Sequence, residues 1–168
     1  MDTKYYRIDN RDFCCGDRVL PQNIYQEKLD DKRMLVEDIL EQNRPASIPK
    51  RNEILMLFED FNVARQHWIK QRNSKFYQTI VPQNRILYIG DYDKVEELFR
   101  NIENLKRANE IAKEYWNSEM TTISKVEVFV DSSIVEKIVS NSDEERQHTY
   151  SILLTGHSLF NGVKFIQQ

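Results

Sequence analysis

Three short stretches of the chain carry residue types that could do chemistry together. "YYRI" places Arg7 directly after Tyr5 and Tyr6, and "PKRNEILMLF" introduces an apolar run with Arg51 and Asn52. In "KVEVFV", Val126, Val128 and Val130 alternate with Lys125, Glu127 and Phe129, the two-residue period of a strand. Glu127 therefore shares a face with Phe129 among apolar neighbours. Its carboxylate stands either on a wet strand face or in a site that needs the charge. On a rigid strand with apolar surroundings, a carboxylate stabilises positive charge that develops beside it. An arginine offers planar, multidentate donors suited to phosphate, and a tyrosine ring can stack on a flat heterocycle. Each has a plainer reading: Glu127 solvated on an edge strand, Arg7 a surface charge, Arg51 a loop cation after Pro49, and the tyrosines part of the core.

Other chemistry finds little support. The sequence contains no G-x-G-x-x-G, P-loop, H-E-x-x-H or G-x-S-x-G pattern. His67, His148 and His157 are scattered and read as surface or packing residues, and no metal site is expected. Cys14 and Cys15, the only cysteines, are adjacent; they read as reduced thiols in or beside a loop, with a redox role as the alternative.

The elements that would position these residues follow from periodicity. Lys4–Ile8 reads as a first strand and "DFCCGDRVLPQN" as loop. "DDKRMLVEDILEQN" reads as a helix with Met34, Leu35, Ile39 and Leu40 on one side, capped by Asp30 or Asp31. Glu53–Phe58 is a central strand, followed by a helix carrying Phe61, Ala64 and Trp68. Two strands follow, "SKFYQTIV" and "RILYIG", with a turn at "PQN". From "DYDKVEELF" to "AKEYW" runs one long helix or two packed ones, capped by Asp93. Strands are expected again at 124–130, 134–139, 150–154 and 163–166, with "NSDEERQ" an acidic, polar loop between them. Strands grouped beside segregated helices predict an α+β fold, with residues 1–168 as a single domain.

The net charge of −3 and pI near 5.7 give no global basic field for nucleic acid or anionic membrane, although Lys50, Arg51, Lys70 and Arg72 could form a local basic strip. The N-terminus lacks the features of a signal peptide, and no apolar run approaches the ~20 residues needed to span a bilayer. A cytoplasmic protein is expected.

Taken in order, Tyr6-Arg7, Arg51-Asn52 leading into "EILMLFEDFNVARQHW", and Glu127 in "VEVFV" resemble the motifs of the ADP-ribosyltransferase superfamily. The likeness covers roughly residues 4–139 and points to an uncharacterised bacterial branch, distantly similar to the DNA-modifying toxins. It implies two small antiparallel sheets forming a cleft with flanking helices. It also implies a glycosyltransferase activity that uses NAD as substrate, with Glu127 catalytic and Tyr6, Arg7, Arg51 and Asn52 binding the dinucleotide. Asn52 replaces the Ser or Thr often found in the second motif. Lys125 stands where arginine-modifying members carry Gln or Glu, so an arginine acceptor is not implied. On this reading Glu127 serves the reaction rather than the fold.

The acceptor would be a protein, DNA or RNA, and the resemblance implies a toxin or phage-defence setting with an antitoxin as a possible partner and no membrane. The rival readings are a non-catalytic nucleotide- or protein-binding domain of the same fold, and an interaction domain whose aromatic helices ("ARQHW", "AKEYW") form a partner surface.

Overall fold

A computed structural model describes residues 2–22, 30–122 and 124–161, with side chains described as far as Leu154. The described chain runs β1 (Asp2–Asp9), β2 (Arg18–Val19), α1 (Asp31–Asn43), β3 (Leu55–Phe58), α2 (Phe61–Lys70), β4 (Lys75–Pro82), β5 (Ile86–Asp91), α3 (Tyr92–Arg100), α4 (Leu105–Trp116), β6 (Val126–Val130), β7 (Ser133–Ser140) and α5 (Asp143–Asn161). This is an α+β fold. Its antiparallel strands lie in the order β2-β7-β4-β1-β3-β6-β5.

The expectation of two small sheets is corrected, because hydrogen bonds join all seven described strands into one. The join is narrow. β1 pairs with β4 along its whole length but meets β3 at one register pair, Tyr6 opposite Phe58. Beyond that pair the two strands part, which leaves room for a cleft between the halves of the sheet.

One face of the sheet carries Tyr5, Leu55, Leu57, Tyr77, Val81, Val128 and Val135, which form a buried cluster with no helical member. The sheet therefore curls and covers its own apolar face. The other face takes the helices in two groups. α1, α3 and α4 pack over Phe129 and Tyr88, while α2 and, through Leu153, α5 pack over Ile8 and Phe76. β6 is thus apolar on both sides, and that is why its alternation could not reveal which face was wet.

Several local expectations change. α1 buries Val36, Ile39 and Leu40 and leaves Met34 and Leu35 exposed, because the helix is phased to bring Glu37 inward. Its cap is Asp30, which accepts from the Arg33 amide. The long helical stretch is two helices, and α3 is capped by Asp91 rather than Asp93. The expected strand at 150–154 is part of α5. The Ser142 hydroxyl accepts from the Glu145 amide at 3.2 Å, so Ser142-x-x-Glu145 starts a helix where the polar run read as a loop. The expected strand at 163–166 lies outside the described residues. Phe61 is 36% exposed and closes the α2 cluster only at its edge, whereas Trp68, Ile111 and Val128 are buried. Trp68, Tyr115 and Trp116 are core residues, so the aromatic helices offer no partner surface through them. Among the described residues no helix is long and apolar enough to cross a membrane.

Candidate functional site

The cleft, of about 280 Å³, opens where β1 and β3 part. Arg7, Ile8 and Asp9 supply one wall, Ile54, Met56 and Phe58 another, and Arg51 and Asn52 reach it from the short turn before β3. His67 on α2, Tyr92 at the start of α3, and Glu127 on β6 complete the inner part. Gln71, Arg72 and Ser74, which follow α2, also line it, as does Gln22.

Arg7, Arg51, Asn52 and Glu127, four of the residues singled out in the sequence, therefore meet in one place. Tyr6 does not. It packs with Phe61 (ring centroids 5.4 Å apart) and Phe76 (5.9 Å) under α2, and it takes no part in lining the cleft. Strand alternation sends Tyr6 to the α2 face, so its expected stacking role is corrected to packing.

The inner end is a buried charged network. Glu127 is 1% exposed and Arg51 5% exposed. The Arg51 Nε donates to Glu37 Oε2 at 2.9 Å, and Nη1 donates to Glu127 Oε1 at 2.9 Å. Nη1 also reaches the Tyr115 hydroxyl, which donates in turn to Glu127 Oε1 at 2.5 Å. The guanidinium lies over the rings of Phe129 and Tyr115, 5.3 and 5.5 Å from their centroids. Burial holds the Tyr115 phenol well above its ordinary pKa, so it acts as a neutral donor. Two carboxyl groups share one guanidinium, so with both ionised the network carries a net charge of −1.

The sheet makes room for this network. Phe58 and Gly90 flank Glu127 in register on the two adjacent strands. A Cβ on Gly90 would come within 2.8 Å of both Tyr115 Cε2 and Tyr88 Cε1. Glycine there lets the Tyr115 ring lie over β5 and reach the carboxylate. β6 has a partner on each side, so Glu127 is neither solvated nor on an edge strand. The expectation that the fold makes no use of this carboxylate is corrected: Glu127 is one half of a buried ion pair with Arg51.

The Arg7 end has the opposite sign. Arg7 Nε and Nη2 donate to Asp9 Oδ2 at 3.1 and 3.0 Å, and Nη1 donates to the Met56 carbonyl at 3.0 Å, spanning the strands where ladder bonds are missing. Arg11 binds the same carboxylate through Nε and Nη2 at 2.9 and 2.8 Å. Burial alone would raise the Asp9 carboxyl, but hydrogen bonds from Arg11 and the charge of Arg7 hold it at about 2. Two guanidinium groups on one carboxylate leave a net +1, and Arg72 adds to it at the cleft wall. Groups of both signs therefore line the cleft.

His67 is a site residue that sequence reasoning missed. It stacks on Phe58 (4.6 Å, 17°) and meets Tyr92 edge-on (4.6 Å, 88°), giving the cleft an aromatic wall. Burial, reinforced by repulsion from Lys70, lowers the imidazole to about 4, so it is neutral at pH 7. Its available signal was its place on α2 one residue before Trp68: with Trp68 facing the core, His67 falls at the edge of the buried stripe.

The local basic strip is broken, because Arg51 points inward. Cys14 and Cys15 are exposed on a turn in which Gly16 takes φ +93°. Among the described residues no group of three or more His, Cys, Asp or Glu could hold a metal ion. No protein-family model matches the chain, and no curated protein is significantly similar to it.

Proposed function

We propose that this protein is an ADP-ribosyltransferase-like enzyme that takes ADP-ribose from NAD and passes it to a macromolecular acceptor. The observation that carries the reading is the meeting of Arg7, Arg51, Asn52 and Glu127, drawn from distant parts of the chain, in one cleft lined by groups of both signs. Its volume of about 280 Å³ lies just below the usual ~300–1,000 Å³ range for ligand pockets, so it suits one nucleoside half of a dinucleotide. The nicotinamide riboside belongs at the negative Glu127 end, beside the aromatic wall. The diphosphate belongs toward Arg7 and Arg72.

In the reaction the bond from ribose C1′ to the nicotinamide nitrogen breaks, and neutral nicotinamide leaves with the electron pair. The sugar becomes oxocarbenium-like, and the Glu127 carboxylate accepts a ribose hydroxyl and stabilises the positive charge. An acceptor nucleophile forms the new bond to C1′ and gives its proton to solvent. A toxin or phage-conflict role, with an antitoxin partner, belongs to the same proposal.

One observation favours a second reading, a non-catalytic nucleotide- or protein-binding domain. Arg7 is already engaged with Asp9 and Met56, and Arg51 with two carboxylates, so both arginines are committed within the fold. Calorimetric titration with NAD followed by a nicotinamide-release assay separates the two. Incubation with labelled NAD and lysate then shows whether label enters protein, DNA or RNA. The expected result is binding, release, and a loss of release of a hundredfold or more in Glu127→Gln, roughly the ~3 kcal/mol of one preorganised electrostatic group. Binding without release would establish the second reading.

A further inference from the structure

We propose that Glu37 and Tyr115 are positioning residues for Glu127, an inference that rests on the transferase reading. Neither lines the cleft. Both act through the network behind it.

Glu37 sits on α1, the first helix, and reaches Arg51 Nε at 2.9 Å from the side away from Glu127. By taking one edge of the guanidinium it prevents Arg51 from cancelling the Glu127 charge. One negative charge is left over at the inner end of the cleft, where the ribose becomes positive. A lone arginine–glutamate pair would present almost no net charge there. Tyr115 has the second task. Its hydroxyl accepts from Arg51 Nη1 and donates to Glu127 Oε1 at 2.5 Å, which fixes the plane of the carboxylate without changing the charge. Gly90 is the residue that allows the phenol this approach. The two effects are separable, since one is charge and the other orientation.

The probe for the first is 1-methylnicotinamide, a pyridinium cation, titrated calorimetrically against neutral nicotinamide, a ring of nearly the same shape. The parent protein is expected to prefer the cation by about fivefold or more, and Glu37→Gln to reduce that preference to within about twofold. Glutamine retains an acceptor for Arg51 Nε, so the variant keeps its hydrogen bond and loses only charge. Tyr115→Phe is expected to keep the preference. Both variants should slow nicotinamide release from NAD by about tenfold or more. KM should stay within about twofold in Tyr115→Phe, and in Glu37→Gln it should rise by no more than the lost cation preference, since the nicotinamide ring of NAD is itself a pyridinium cation.

The role of Glu37 is overturned if a folded Glu37→Gln protein keeps the parent's preference. The role of Tyr115 is overturned if Tyr115→Phe turns over at the parent rate, a test that stands even if Glu37→Gln fails to fold. A parent that cleaves NAD with no cation preference sinks the Glu37 role and leaves the transferase reading intact. A parent that prefers the cation and never cleaves NAD supports the Glu37 role and sinks the transferase.

Discussion

Replacing Arg51 with glutamine should unfold the protein more readily than replacing either of its carboxylate partners. The reason is a charge count. Arg51 lies 2.9 Å from both Glu37 and Glu127, and all three side chains are at least nine-tenths buried. Without the guanidinium, two carboxylates face each other's field in a site that excludes water. Removing one member of a buried pair costs about 3–5 kcal/mol, a large part of the ~5–15 kcal/mol that holds a domain folded. Glu127→Gln and Glu37→Gln are different, because each leaves Arg51 with one carboxylate and retains an acceptor. Their cost should stay near or below the ~1.5–3 kcal/mol of a hydrogen bond to a charged group. Equilibrium urea unfolding of the three variants measures the order directly, provided the slopes with denaturant agree. If Arg51→Gln proved no less stable than Glu127→Gln, the buried network as described would be wrong.

His67 predicts a loss of stability in mild acid. Its pKa is about 4 folded against 6.5 unfolded, so the unfolded chain binds more protons between those values and stability falls as pH drops through that window. Relative to pH 8, the loss at pH 5 should reach about 2 kcal/mol, and urea unfolding of His67→Asn should show it largely removed. Gly90→Ala places a Cβ against two buried rings at 2.8 Å and should cost about 1–3 kcal/mol of overpacking, read as a lower Tm together with slower nicotinamide release as Tyr115 is displaced. Tyr6→Leu should lower Tm while leaving NAD affinity in calorimetric titration within about twofold, since the ring packs under α2; a large loss of affinity would return Tyr6 to the site.

By itself the sequence determined most of the elements and a list of candidate residues. Periodicity places a strand at Glu127, a helix through Trp68 and a strand from Leu55, because apolar spacing is a local property that each segment carries alone. It also marks Arg7, Arg51, Asn52 and Glu127 as odd residues beside apolar runs, and these four share the cleft. It could not tell which side of a strand with two apolar faces is covered, and so left Glu127 open to solvent and Tyr6 open to a ligand. The α5 helix was hidden because a short apolar run fits either period, and its capping signal lay in what read as a polar loop. Only the tertiary structure decided that Glu37, whose sequence context is an ordinary helix, shares Arg51 with Glu127, and that Gly90 clears the path for Tyr115. Those relations join α1, the turn before β3, β5, α4 and β6, and no local pattern encodes a charge balance set by residues that meet only when the sheet and its helices close around them.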